Sequence, residues 1–321
     1  MRVAVLSGGR SSEHEVSLRS GEAVARGLER AGHEPVAVKI SRQGSWSVEG
    51  SPVALVPGEG LQGAQVAFPA LHGPFGEDGS VQGVLEWLDV PYVGSDVLSS
   101  AICMDKLTLK RLFAQAGLPQ VDFVAVGEPG WRERCEALGA PLWVKPSRLG
   151  SSVGISRVES VAELDDAVEL ARRHDPRVIV EAHAAGREIE CSLLGNEPVK
   201  ASTPGEVVAD GKWYDYETKY REGGMKLVVP APIDDEQLDR VRDLAVRAFE
   251  LGGCSGLARC DFFVDPAGPI LVNEINTIPG FTQTSVYAKL WEASGIEYPA
   301  LCNRLVRLAV ERHERARAYE F

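Results

Sequence analysis

No two of the six cysteines form a C-x-x-C pair: they stand alone at 103, 135, 191, 254, 260 and 302. That spacing argues against a zinc ribbon and offers no disulfide framework, so buried thiols in a reducing compartment are expected. No stretch approaches the roughly 18–20 apolar residues that span a bilayer. The apolar run that begins at Val3 is too short for a secretory core, and a cytoplasmic protein without membrane attachment is the expectation. Positive charge is scarce, with Lys plus Arg 34 against Asp plus Glu 46 and a net charge of -12. This is the wrong sign for gripping nucleic acid or an anionic membrane surface. A small anionic substrate stays allowed if the few cations converge on it. There is no G-x-x-x-x-G-K-[ST] phosphate loop. The Gly8-Gly9 turn lacks the G-x-G-x-x-G spacing, and the second strand ends near Lys39 where a dinucleotide site needs an acid for the ribose. Internal repeats and low-complexity tracts are also absent.

What is present is enough to build cores. The chain has 321 residues, 44% hydrophobic and 25% charged, which suits two or three soluble domains. The first hundred residues alternate short β-branched runs with helical patterns, the mark of a parallel sheet with crossover helices. Strands are predicted at 3–6, 35–40, 66–71 and 92–93, then at 123–126, 142–145, 178–181 and 188–194, where the pattern becomes α+β. Ser12 and Glu15 have capping-box spacing, with Gly32 as a C-terminal stop, and Ser160 with Glu163 opens a second helix through Ala171. The polar stretch from Pro204 to Gly224 has no period and reads as a lid.

Two segments carry chemistry. In KPSRLGSSVGISRV (145–158), Lys145 ends an apolar strand and Gly150 and Gly154 bracket two serines, as in a glycine-rich hairpin that offers backbone N–H groups and a lysine to phosphate. A solvated hairpin with a surface lysine is the alternative. In ARCDFFVDPAGPILVNEIN (258–276), two strands joined by Asp265-Pro266-Ala267-Gly268 are predicted to set Arg259 opposite Glu274. Alternation then puts Asp261 and Asn276 on the same face. Two carboxylates and an amide suit Mg²⁺ bridging nucleotide phosphates; a plain cross-strand ion pair on a solvated face is the alternative.

Six segments in order, LSGGRSSEHEVSL (6–18), LHGPFGEDGSVQG (71–83), MDK (104–106), the 145–154 hairpin, YDYETKY (214–220) and NEINTIPGFTQTS (273–285), resemble the D-alanine:D-alanine ligases, ATP-grasp enzymes. The resemblance implies an α/β chain: an ATP-grasp fold preceded by an N-terminal parallel-sheet (pre-ATP-grasp) domain. Its parts would be residues 1–97, 98–180 and 181–321. It also implies ATP as a substrate with two Mg²⁺ or Mn²⁺ ions on Asp261, Glu274 and Asn276, and raises K⁺ as an activator. Lys106, Lys145, Ser152 and Lys219 would hold phosphates. Glu181 and Glu188 would bind adenosine, with Ala182 standing where many relatives have lysine.

For the amino acids, Glu15 would take the ammonium of the first D-alanine, and Ser151 and Tyr220 would link to it and tie the lid shut. As a capping-box glutamate, Glu15 has an alternative reading of its own. Arg259 and the N–H of Gly280 would stabilise an oxyanion, and Ser285 would bind the second carboxylate. His72 would lie near the first substrate, or be a hydrogen-bonded core histidine. The partners implied are D-alanine, ATP and a second copy of the chain in a homodimer, with no nucleic acid and no membrane. Synthesis of a cell-wall dipeptide is the expected function; a ligase to D-lactate and a non-catalytic ATP-grasp regulator are the rivals.

Overall fold

The computed structural model describes residues 1–58, 61–209, 225–266 and 268–320. Three sheets organise them. In the first, β1 (Arg2–Gly8) is central and parallel to both β2 (Glu34–Ile40) and β5 (Val66–Pro69), while β3 (Trp46–Val48) and β4 (Ser51–Pro52) continue the β2 edge antiparallel. β1 is buried along nearly its whole length because a parallel strand is covered on both faces. The strand expected at 92–93 is only a bridge, Ala67 exchanging two backbone bonds with Pro91 and Val93 before the chain turns away.

Helix α1 (His14–Arg30) covers one face of that sheet. The capping box expected from Ser12 and Glu15 does not form. The Ser11 hydroxyl donates to the His72 carbonyl at 2.6 Å and accepts the Glu13 N–H at 3.2 Å. That turn holds the entry loop down, delays the helix and makes Glu13 its N-cap residue. The C-terminal stop is as read: Gly32 takes φ +81°, His33 N–H reaches Leu28 O at 3.0 Å and Gly32 N–H reaches Glu29 O at 2.9 Å, a Schellman closure.

The second sheet is four-stranded, in the order β6 (Phe123–Ala125), β9 (Val178–Ala182), β7 (Leu142–Pro146), β8 (Ser156–Val158), and packs on α5 (Trp131–Leu138) and α6 (Leu164–Arg172). A 3-10 turn (Val161–Glu163) leads into α6, with Glu163 accepting from the Glu159 N–H. The third sheet runs β13 (Met225–Val228), β12 (Gly205–Ala209), β10 (Arg187–Gly195), β14 (Gly256–Val264), β15 (Ile270–Asn276), with β11 (Lys200–Ala201) beside β10. Helices α3 (Val97–Met104), α4 (Lys106–Gln115) and α7 (Asp235–Leu251) share its core through Cys103, Leu109, Phe113 and Leu244. The C-terminal helices α8 (Val286–Ala293) and α9 (Tyr298–Arg317) pack back against α1 and the first sheet. Cores therefore cross the sequence divisions: Cys103, Leu109, Phe113 and Leu118 pack in the core of the third sheet, and Val178–Ala182 lies wholly in the second.

All six cysteines are free and buried. Two expectations need correcting. The stretch from Pro204 begins as strand β12, paired with β13 so that Ala209 faces Met225; residues 210–224, with Lys219 and Tyr220, lie outside the described residues. In the β14–β15 hairpin, Val264 faces Ile270, but a bulge between Asp261 and Phe262 shifts the register, so Asp261 faces Glu274 and Arg259 faces Asn276. The expected Arg259–Glu274 pairing is replaced in two one-residue steps: the connection runs from Val264 to Ile270, one residue longer than the four-residue turn predicted, and the bulge adds one more that turn chemistry does not reveal. The shared face survives because all four positions keep their alternation.

Candidate active site

A cleft of about 1260 Å³ opens where the three sheets meet, with Glu13 and His72 from the first, Lys145 and Glu181 from the second, and Arg259 and Glu274 from the third. Two lysines enter from different elements. Lys145 sits on β7, beside Glu181 on β9, with Nζ 2.5 Å from the carboxylate. Lys106 begins α4; its Nζ donates to the Leu149 carbonyl at 2.9 Å and lies 3.5 Å from Glu274 Oε2. Asp105 orients it by capping α4 at Thr108 N–H (3.1 Å), accepting from Ser147 Oγ (2.8 Å) and pairing with Arg177 (3.1 Å).

One turn along α4, Lys110 points into the same region and pairs with Glu181 at 3.1 Å, both side chains about 2–3% exposed. Burial alone would raise the Glu181 carboxyl, yet Lys110 and Lys145 together hold it down at about 2. Burial lowers Lys110. It would lower Lys145 as well, but Glu181 outweighs it and the net shift is upward. Glu181 is thus committed to two lysines, and its carboxylate fixes Lys145. Glu188 is an exposed residue on the cleft wall, and Ala182 lines the wall beside it.

The glycine-rich hairpin is anchored at its base by Arg148, whose N–H and guanidinium all donate to Asp175 (2.6–3.1 Å). At its tip Ser151 and Ser152 take φ +54° and +58°, a left-handed conformation unusual for serine. That turn delivers Ser151 Oγ to Glu13 Oε1 at 2.5 Å, across 138 residues of chain.

On the third sheet Arg259 is gripped from two sides. Its Nε and Nη2 donate to the two oxygens of Asp261 at 2.7 Å each, and Glu190 Oε2 lies 2.7 Å from Nε. Asn276 Nδ2 donates to Asp261 at 3.1 Å. Asp261, Glu274 and Asn276 bring two carboxylates and an amide oxygen onto one face. Among the described residues no three His, Cys, Asp or Glu side chains cluster as a closed metal cage. An open set of hard oxygen donors is what Mg²⁺ takes when phosphate and water complete its shell, so these residues fit that ion.

The remaining wall is built around Gly73. His72 is buried: Nε2 lies 2.9 Å from the Ser20 hydroxyl and Nδ1 3.2 Å from the Ile278 carbonyl. The carbonyl can only accept, so Nδ1 carries the proton. Burial lowers this imidazole despite Glu13 nearby, keeping it neutral. His72 is thus a hydrogen-bonded core histidine, and it also lines the cleft. Gly280 and Ser285 line the opposite wall, with Ser285 Oγ 2.8 Å from Thr282 Oγ1 and accepting the Thr282 N–H at 3.0 Å.

Glu15 is the misplaced assignment. It does not line the cleft; it is mostly exposed and pairs with Arg42 at 3.0 Å on the outer side of α1. Glu13, two residues earlier, is buried and holds Ser151. Sequence reasoning also missed Lys110, Glu190 and Glu77. Two of these had a signal: Lys110 repeats Lys106 at i+4, and Glu190 repeats Glu188 at i+2.

A family model described as D-ala D-ala ligase N-terminus matches residues 2–57 and 49–95, and one described as D-ala D-ala ligase C-terminus matches residues 112–307. The chain is 44% identical to a D-alanine--D-alanine ligase of Thermoanaerobacter sp. (strain X514), over 97% of each chain. It is also 44% identical to that of Solibacter usitatus, over 100% of this chain and 99% of the relative. Among solved structures, the D-alanine-D-alanine ligase from Coxiella burnetii superposes with a TM-score of 0.89 at 35% identity, covering 99% of this chain and 96% of that one. The VanG D-Ala:D-Ser ligase from Enterococcus faecalis superposes with 0.87 at 35% identity, covering 96% and 99%. With family models over both halves and relatives at 44% identity along its full length, the chain belongs to the D-alanine–D-alanine ligase family.

Proposed function

We infer that this chain uses ATP to join two D-alanines into D-alanyl-D-alanine for peptidoglycan precursors. The observation that carries the reading is the convergence of Lys106 from the start of α4, Lys145 from the second sheet, and Arg259 with the Asp261–Glu274 pair from the third on one cleft that the bonded Glu13 and Ser151 also line. A carboxylate and an amine do not condense in water. The first D-alanine's carboxylate oxygen attacks the γ-phosphorus, ADP leaves, and the acyl phosphate is captured by the second amine. Phosphate then departs with the carboxylate oxygen.

Phosphoryl transfer asks mainly for positioning and charge neutralisation. Lys106 and Lys145 neutralise phosphate oxygens, with Lys219 and Ser152 as further contacts; Glu188 takes the ribose and Glu181 acts through Lys145. Asp261, Glu274 and Asn276 would hold Mg²⁺ or Mn²⁺, two ions, which supplies further neutralisation of phosphate charge. Arg259, fixed beforehand by Asp261 and Glu190, joins the Gly280 N–H at the oxyanion, and an oriented donor costs no reorganisation when charge develops. Ser285 receives the second carboxylate. Glu13 takes the first ammonium, in the role Glu15 was expected to fill. Tyr220 would close the second subsite. A three-part division, with the cores crossing the bounds near 97–118 and 178–182, a homodimer and a cytoplasmic location go with this proposal.

The test is phosphate release from ATP with D-alanine as the only amino acid, the dipeptide being identified by mass. Release without dipeptide, or none, defeats the reading. The site assignment has its own check. Glu13→Gln removes the partner of a buried ammonium and should cost about thirtyfold or more in kcat/KM for D-alanine. Glu15→Gln, which loses only a surface pair, should stay within about fivefold. The reverse order would restore Glu15 to the site.

A further inference from the structure

Two carboxylates flank Gly73. The N–H of Gly73 donates to Glu77 Oε2 at 2.9 Å, and Glu13 Oε2 lies so near its Cα that an added Cβ would sit 2.7 Å from that oxygen. Both acids line the cleft, and Glu13 is further held by Ser151. Like charges brought against one residue's backbone disfavour double ionisation. The groups that face Glu77 are Glu13 from the α1 entry loop, Glu274 from β15 and Arg259 from β14. The neighbouring His72 is neutral and bound on both nitrogens, so it is not the cation that balances the pair.

We propose that Glu13 and Glu77 form a one-proton carboxylate pair at the first amino-acid subsite, and that Glu77 gives its proton to solvent as the substrate ammonium arrives. The pair changes from one charge to two as the cation enters: the Glu77 O–H bond breaks heterolytically, its electrons stay on the carboxylate, and the proton passes to buffer. Burial chiefly, then Glu13, pushes the Glu77 carboxyl up to about 8, Glu274 adding to the shift while the Gly73 N–H and Arg259 oppose it. Below that pH Glu77 carries its proton; above it, the acid is already ionised and has nothing to release. This inference rests on the ligase reading, since it takes D-alanine as the ammonium.

Calorimetric titration of the full chain with D-alanine, in the presence of Mg²⁺ and a non-hydrolysable ATP analogue, in buffers of different ionisation heat, counts the protons. The expected result is about one proton released per first-site D-alanine near pH 7, and about none near pH 9. The first-site KM should correspondingly fall as pH rises from 6 to 8, by up to about tenfold per unit. Glu77→Gln should abolish the release and flatten the profile; Glu77→Asp, which keeps the acid, should retain release. No proton release by wild type at pH 7, or equal release by wild type and Glu77→Gln, overturns the proposal. Failure of the wild type to bind D-alanine or make dipeptide overturns the ligase reading instead.

Discussion

Glu274→Gln should lower phosphate release from ATP by roughly a hundredfold or more while leaving the fold in place. The amide keeps the shape of the side chain and removes one of the two carboxylates proposed to hold the metal. The structural cost is small because Glu274 is 28% exposed and the amide is isosteric with the carboxylate. Melting behaviour should therefore stay close to wild type, and excess divalent cation should recover part of the rate, because weakened affinity is the defect. Activity within a few-fold of wild type at ordinary cation levels would remove Glu274 from the metal face.

Glu181→Leu should be the most destabilising single change in the cleft. It leaves Lys110, about 2% exposed, with the Val121 carbonyl at 3.3 Å and the Phe123 ring but without its carboxylate, and strips Lys145 of its partner. Breaking a buried pair by removing one side costs about 3–5 kcal/mol, because the other charge stays buried and uncompensated. Adding Lys110→Met should recover much of that loss, since an apolar pair has no charge to desolvate. The pH dependence has a definite sign. Glu181 is depressed from its ordinary 4.5 to about 2, so its stabilisation is complete above about pH 4.5 and is lost as pH falls toward 2. The gap between wild type and Glu181→Leu, read from denaturant midpoints, should be flat above pH 5 and narrow below 4. Equal stability of the two proteins near neutral pH would show that the buried triad contributes nothing.

The strand and helix pattern was legible because periodicity survives in a single sequence: the main strands of all three sheets lie within a residue or two of their predicted places. The chemistry on β14 and β15 was legible for the same reason, since alternation fixes which side chains share a face. What failed was whatever tertiary contact decides. A turn one residue longer than expected and the bulge beside Asp261 together moved every cross-strand partner, two residues in all at Asp261 and Arg259, without moving a side chain to the other face. The entry to α1 obeyed the Ser11–His72 bond rather than a capping-box spacing, and with the N-cap one residue later, at Glu13, Glu15 faces outward and Glu13 inward. Glu77 showed no local signal at all; its significance arises only when the loop at 73–77 folds beside Glu13.

The central claim is an acyl phosphate, and its oxygen can be followed. D-Alanine labelled with ¹⁸O in the carboxylate, incubated with this chain, ATP and Mg²⁺, should give inorganic phosphate carrying one ¹⁸O for every dipeptide formed. The oxygen that attacks phosphorus leaves with it when the amine attacks carbon. Dipeptide formed with unlabelled phosphate would contradict the account.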